Sequence, residues 1–323
     1  MNVFLIVSLV LFLFLTFLIV KYQGRNLKTF ISKYVYYSSS KRKAAFVGKM
    51  NEYAKDFGMT NTHFLNASGQ YLKGHYSCAK DIMKMCGCCT AYDKLMQIWG
   101  QEKYSISVAG KNPRTITGVS TYKGANMTSV GDYYHIFGGK SGTWNFGGSI
   151  GIIRNLTLAV KSHMDDSWVI GCVMKSTNKD RGIPFKQLID WLESYRNDNT
   201  TPSPTIEAIY AAAGILPKGN PKAYADVDWM MVGKNAETHY MPASMTKLMT
   251  AMVTLDYCDL DEQMVIKKSD IQKGNPIYYE GDIISIHDAL LAMLLPSSNT
   301  LAVALSRFVG NKILNMNDKT RKK

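Results

Sequence analysis

The chain has 323 residues, 46% of them hydrophobic and 20% charged, and its 38 Lys and Arg against 25 Asp and Glu give a net charge of +13. That apolar content can bury a full core, which excludes an intrinsically disordered chain, and six cysteines are too few for a disulfide-built scaffold. The positive charge is spread out, apart from Lys41-Arg-Lys43 and the terminal Lys319-Thr-Arg-Lys-Lys323, and no recognition motif accompanies it, so no nucleic acid is expected as a partner.

Residues 3–20 carry only Ser8 and Thr16 as polar side chains. At about 1.5 Å per residue they cover the ~30 Å of a bilayer core, which predicts an uncleaved transmembrane anchor over 1–20, since no small-residue cleavage site follows. A basic juxtamembrane segment, 21–43, comes next. Its Lys21, Arg25, Lys28 and Lys33 favour a cytoplasmic C-terminal side by the charge rule.

From residue 44 the pattern is that of one catalytic-size domain in two stretches, 44–195 and 206–315, followed by a basic tail at 316–323. Residues 45–66 read as a helix and a strand, and 77–99 as one helix crowded with Cys86, Cys88 and Cys89. No second Cys/His pair stands at zinc-finger spacing, so these are read as buried thiols, and neither a metal nor a cofactor is expected. The six histidines are scattered, and none has a Ser-His-Asp context; His63 and His75 are given structural or solvent-facing roles. A strand over 133–137 precedes Lys140-Ser-Gly142. The apolar runs 156–161 and 168–174, around the turn at 164–167, predict an antiparallel hairpin. Phe185, Leu188, Ile189 and Leu192 fall on one face of a helix over 184–195, and residues 196–205 have linker composition.

The second stretch holds the most informative text, Pro-Ala-Ser-Met-Thr-Lys-Leu-Met-Thr-Ala-Met at 242–252. Read as the start of an apolar helix, it puts Ser244 and Lys247 on one face, so that a lysine amine can take the proton of an attacking serine. Ser-x-x-Lys recurs at Ser38, Ser40, Ser77, Ser120 and Ser176, as expected of a lysine-rich chain. Only the copy at Ser244 has a Pro-Ala lead-in and an apolar run behind it. Ser297-Ser-Asn299 follows the apolar run 289–296, and Lys-Ser/Thr-Gly occurs once, at Lys140.

Penicillin-binding proteins and class A β-lactamases combine a Ser-x-x-Lys, a Ser-x-Asn type element and a Lys-Thr/Ser-Gly. The text at 45–66 closely resembles the helix and strand that follow Ser-x-Asn in serine-type D-alanyl-D-alanine carboxypeptidases, and 281–291 resembles the helix that leads into it. The resemblance covers roughly 44–195 and 223–310. It implies an α/β (α+β) fold, an antiparallel sheet flanked by helices with a helical subdomain. It also implies a serine DD-peptidase that removes the terminal D-alanine of peptidoglycan stem peptides through an acyl-enzyme and is trapped by β-lactams.

Site roles come from the same resemblance. Ser244 would be the nucleophile and Lys247 its base. Ser297 would relay a proton, and Asn299 would position Lys247 and the substrate amide. Lys140 with Ser141 would bind the terminal carboxylate, Gly142 and Thr143 would complete the substrate-binding residues, and the N–H groups of Ser244 and Thr143 would form the oxyanion hole. An extracytoplasmic catalytic domain follows, against the charge rule, and a positive chain suits an anionic cell envelope. Thr300 replaces a common acidic residue and Ser141 a common threonine; neither removes a reactive group.

In the family the order is Ser-x-x-Lys, Ser-x-Asn, Lys-Thr-Gly, whereas here Lys140 comes first, Ser244 next and Ser297 last. This order resembles a circular permutation, with 196–205 joining the usual C-terminus to the usual N-terminus. Two other functions fit part of the text. A β-lactamase needs a deacylating carboxylate, yet the only glutamates between 44 and 139 are Glu52 and Glu102, neither in a Glu-x-x-Leu-Asn loop. A catalytically silent, membrane-tethered wall-peptide-binding protein is the other.

Overall fold

The computed structural model describes residues 37–121, 135–148, 151–162, 164–219, 227–273 and 277–320. Helix α1 (Ser39–Asp56) opens where the Ser38 hydroxyl accepts the Lys41 N–H, and it buries Phe46, Met50 and Ala54 at helical spacing. The run expected as a single helix over 77–99 is two helices, α2 (Ala79–Cys89) and α3 (Asp93–Trp99). Thr90 explains the break. Its hydroxyl donates to the Gly87 carbonyl at 2.7 Å and closes α2, after which Asp93 places a carboxylate in the first turn of α3.

Strands β1 (Lys103–Gly110), β2 (Arg114–Val119), β3 (Ile136–Asn145), β4 (Ile152–Lys161) and β5 (Trp168–Ser176) follow, then α4 (Gly182–Asn197), β6 (Ala208–Ile215) and β7 (Met230–Lys234). A 3-10 turn at Ala243–Thr246 leads into α5 (Lys247–Tyr257), followed by β8 (Gln263–Val265), β9 (Asp282–Ser285), α6 (Ile286–Leu294) and α7 (Asn299–Thr320).

Two antiparallel sheets result, one of order β2-β1-β9-β8 and one of order β3-β4-β5-β6-β7. The hairpin expected from the apolar runs is β4 and β5, in register from Lys161 opposite Trp168 to Leu156 opposite Val173. The five-stranded sheet is covered on both faces. An added Cβ on Gly171 of β5 would lie 2.8 Å from Phe185 of α4, so the next residue, Cys172, is turned to the opposite face, where α2 packs. On α4 the expected Phe185, Leu188, Ile189 and Leu192 are the buried residues. Helix α5 lies at the centre of the helical layer: residues 247–254 are all buried, and α1, α2, α3, α6 and α7 all contact it.

A buried ion pair ties α7 to β8 and the short 3-10 turn at Lys268–Asp270 that follows it. Arg307 donates from Nε and Nη2 to Asp270 at 2.7–2.9 Å and from Nη2 to the Val265 carbonyl at 2.7 Å. Losing either partner strands a buried charge, at a cost of about 3–5 kcal/mol.

Four further expectations change. Lys140-Ser-Gly142 lies inside β3 rather than after a strand, and Tyr133 and Tyr134 fall outside the described residues. After α1, residues 57–66 form no strand beyond one bridge, His63 to Tyr76. The stretch 281–291 begins as β9, and α6 starts only at Ile286, where the Ser285 hydroxyl accepts the Asp288 N–H. The proposed linker begins within α4, which runs to Asn197, so its first two residues are helical, and it leads into β6. The expected anchor over 1–20, most of 21–43 and the end of the tail lie outside the described residues. Among those described, no helix is long and apolar enough to cross a membrane.

Helices α1 and α7 touch backbone to backbone, since a Cβ on Gly310 would fall 1.9 Å from the Arg42 carbonyl oxygen. Gly310→Val should therefore force the helices apart and cost about 1–3 kcal/mol. Gly48→Ala, on the exposed side of α1 with nothing within 4 Å of the new methyl group, should instead add about 0.5–1 kcal/mol. Thermal unfolding followed by circular dichroism measures both, with opposite signs of the shift in Tm.

Candidate active site

Ser244 sits in the Ala243–Thr246 turn, ahead of α5, which begins only at Lys247, and not within the helix expected from the sequence. Pro242 enters the turn at φ −72°, and Ala243 follows with φ +51°, a left-handed backbone that an alanine adopts only at a cost of about 1–2 kcal/mol. Contacts on both sides hold it there. Gly69, itself at φ +79°, packs so closely that a Cβ would lie 1.9 Å from the Ala243 carbonyl oxygen and 3.0 Å from the Ser244 nitrogen. On the other side Gly142 of β3 has the Pro242 carbonyl oxygen 2.7 Å from its Cβ position. The glycine of Lys-Ser-Gly thus lets the strand reach the turn that carries Ser244.

Asn66 and Asn155 brace the same turn, and the sequence pattern singled out neither. The Asn66 Oδ1 accepts the N–H groups of Ser68, Gly69 and Gln70 at 3.1, 2.7 and 3.2 Å, which folds that loop onto its own side chain. From β4, Asn155 Nδ2 donates to the Met241 carbonyl at 2.9 Å, while its Oδ1 accepts the Lys175 N–H.

Lys247 is fully buried, and its Nζ makes three contacts: Ser244 Oγ at 2.8 Å, the Ser68 carbonyl at 2.7 Å and Asn299 Oδ1 at 2.7 Å. Burial, then the charge of nearby Lys140, holds its pKa well below the usual lysine value. A neutral amine has two N–H bonds and one lone pair. The carbonyl and the amide oxygen can only accept, so they take the two N–H bonds, and the lone pair is left for the Ser244 hydroxyl proton.

Lys140 is buried as well, with its Nζ 3.0 Å from the Ser141 carbonyl. Burial first and Arg181 second lower its pKa to about 7. Ser141 Oγ lies 3.1 Å from Thr121 Oγ1. Thr143 is exposed, and its hydroxyl accepts from Arg181 Nη2 at 2.6 Å. Arg181 also donates from Nη1 to the Gly142 and Asn155 carbonyls at 3.4 and 3.2 Å. Sequence reasoning missed this arginine, because the rest of β3 and the whole β4–β5 hairpin lie between it and Lys140 and no spacing rule links them.

Ser297 lies between α6 and α7 at φ +70°. Ser298 holds the start of α7, its hydroxyl accepting the Leu301 N–H, but among the described residues no hydrogen bond holds the Ser297 hydroxyl. Thr300 accepts the Gln272 N–H, giving the expected departure at this position a structural use.

His75 is buried next to the motif. The Leu65 N–H donates to its Nδ1 at 3.0 Å, which leaves Nε2–H to donate to Thr246 Oγ1 at 3.1 Å. Burial lowers its pKa to about 4, so the ring is a neutral brace. All six cysteines are buried free thiols.

The structure thus brings Ser244, Lys247 and Asn299 into direct contact, sets Gly142 against their turn, and couples Lys140 to Lys247 electrostatically. No curated protein and no solved structure matches the chain. A family model described as D-alanyl-D-alanine carboxypeptidase matches residues 36–177 and 225–322, most of the chain and both stretches that build this site, so the protein belongs to that family of serine peptidases.

Proposed function

We propose that the protein cleaves the last D-alanine from peptidoglycan stem peptides through an ester on Ser244. The observation that carries this reading is the Lys247 amine, whose two N–H bonds are engaged by the Ser68 carbonyl and Asn299 while its lone pair faces Ser244 Oγ. As Ser244 Oγ attacks the carbonyl between the two terminal D-alanines, its proton passes to Lys247 Nζ. Charge on the carbonyl oxygen is met by the N–H groups of Ser244 and Thr143. The C–N bond then breaks as the Ser297 hydroxyl hands its proton to the departing amine and takes in its place the one held on Lys247; water, giving a proton to the neutral Lys247, then hydrolyses the ester, and that proton returns to Ser244 as it leaves. Lys140, Ser141 and the exposed Thr143 bind the terminal carboxylate, with Arg181 as a second cation beside them.

The reversed order of the motifs is read as a circular permutation. Two contacts support it: β6 pairs with β5 across the 196–205 connection, and Gly310 meets Arg42 where the family's chain would run on. We further propose that 3–20 anchors the chain in the cell membrane, with the catalytic domain on the outer side.

Fluorescent penicillin should label the wild-type protein covalently on the peptide that carries Ser244, and Ser244→Ala should abolish the label. Label on another serine would refute the assignment.

Lys247→Ala should slow acylation by about 10³-fold or more, with the circular dichroism spectrum retained. Acylation within tenfold of wild type would mean that another group deprotonates Ser244.

The pH dependence follows from Lys140. Protonated, it attracts the carboxylate, and its free pKa is about 7, so the second-order acylation rate should fall as pH rises through that value. A bound carboxylate favours the protonated form and should carry the saturated rate to higher pH. Arg181→Gln removes the neighbouring charge that lowers the Lys140 pKa, so the falling limb should move to higher pH in stopped-flow acylation profiles.

A further inference from the structure

The short turn at Lys268–Asp270 packs against the first turn of α1 and builds a face that the chemistry above does not use. Lys43 Nζ donates to the Ser269 carbonyl at 2.9 Å, and the Ser39 and Ser269 hydroxyls lie 3.2 Å apart. Lys41, Lys267, Lys268 and Lys273 are exposed on these two segments, and Lys43 is partly buried where they meet. The single acid in 263–273 is Asp270, which Arg307 engages, and no acidic residue precedes Glu52 in the chain. Among the described residues no ion pair neutralises any of these five lysines, whereas Lys49, Lys80, Lys161, Lys186 and Lys312 each meet a carboxylate. Unpaired cations gathered on one face repel each other, and an anionic partner relieves that repulsion.

The chain that leads into this face points to the partner. Before α1, residues 21–36 carry Lys21, Arg25, Lys28 and Lys33 with no acid, and 3–20 is the apolar segment. A chain leaving a bilayer at residue 20 therefore stays positive until it reaches α1. At that entry Lys41 Nζ lies 4.8 Å from the centre of the Tyr37 ring, and tyrosine and lysine are side chains that settle at a headgroup layer. The exposed cations are all lysines, point charges without the planar fork that grips one defined anion, which suits a charged surface better than a discrete ligand.

We propose that Lys41, Lys43, Lys267, Lys268 and Lys273 form a docking face for an anionic phospholipid surface; the proposal rests on the reading of 3–20 as a membrane anchor. An anchor alone keeps the domain near the bilayer in any orientation, and the lysines select one. Each lysine brought within the screening distance of such a surface strengthens binding about fivefold. The same loop reaches the site: Gln272, next to Lys273, donates its N–H to Thr300 Oγ1 at 3.1 Å, and Thr300 follows Asn299. Docked on this face, the domain works close to the lipid, on stem peptides at the membrane surface.

The test is lysine footprinting of the full-length protein in lipid nanodiscs, with a water-soluble acetylating ester and mass spectrometry as the readout. The discs hold phosphatidylcholine alone or with about one-third phosphatidylglycerol. On the anionic discs Lys41, Lys267, Lys268 and Lys273 should react about threefold more slowly, while exposed Lys179, just before α4 and so across the five-stranded sheet from the helical layer, should not change. About 0.5 M salt should remove the difference. The exposed double variant Lys267→Glu/Lys268→Glu should lose the protection of Lys41 and Lys273 with its circular dichroism spectrum retained. Equal protection on both kinds of disc, or protection that survives in the variant, overturns the docking face. Protection by soluble polyphosphate as strong as that by phosphatidylglycerol overturns lipid as the partner. A chain that stays out of phosphatidylcholine discs refutes the anchor alone; sedimentation with phosphatidylglycerol vesicles then reads the face by itself, and its absence overturns both.

Discussion

The site depends on one buried amine with two acceptors and one hydroxyl around it. Lys247 is useful as a base only if it is neutral and its lone pair points at Ser244, and neither condition holds for a lysine in water. Burial in a helix enclosed along residues 247–254 supplies the first. The second comes from two groups far apart in sequence, the Ser68 carbonyl on a loop folded around Asn66 and the Asn299 amide at the start of α7. Gly69 and Gly142 then become requirements of close approach, since the turn that carries Ser244 occupies the space their side chains would fill.

The contacts of the candidate site were legible in the sequence where they depended on local spacing or on side chains with few alternatives. Ser244 and Lys247 are three apart, a separation that a 3-10 turn running into a helix serves as well as the expected α-helix, so the pairing held although the local conformation did not. The hairpin β4–β5 and helix α4 were legible too, the hairpin because its strands are nearly continuous apolar runs buried on both faces and the helix because it buries a periodic face. What stayed hidden depends on contacts across the fold. Asn155, Arg181, His75 and the Ser68 carbonyl touch the site only because β4, the start of α4 and the loops before α2 are brought to the same turn. The break between α2 and α3 was hidden differently: one threonine hydroxyl closing a helix is invisible to a count of apolar residues.

The proposed permutation is compatible with this architecture because the two stretches are interleaved at the level of single strands and helices. β6 and β7 extend the sheet begun by β3, β4 and β5, and α1 lies against α7 and α5. A core formed this way depends on which faces meet and is indifferent to which covalent bond joins two neighbouring ends. The close approach of Gly310 and Arg42 makes the same point locally, since two helices there share a packing surface that a connecting turn would otherwise have to enforce.

Two buried lysines within electrostatic reach cannot both carry a charge at neutral pH, and the site uses that restriction. Lys247 is surrounded by neutral acceptors and is depressed further by Lys140, whereas Lys140 titrates near neutrality. In the proposed mechanism the proton therefore stays on Lys140, where it would attract a carboxylate, and its charge in turn would keep Lys247 free to accept the serine proton. Carboxylate recognition and base activation are then one electrostatic arrangement. Arg181 belongs to it too: by lowering the proton affinity of Lys140 it sets the pH above which both the recognition and the bias on Lys247 are lost.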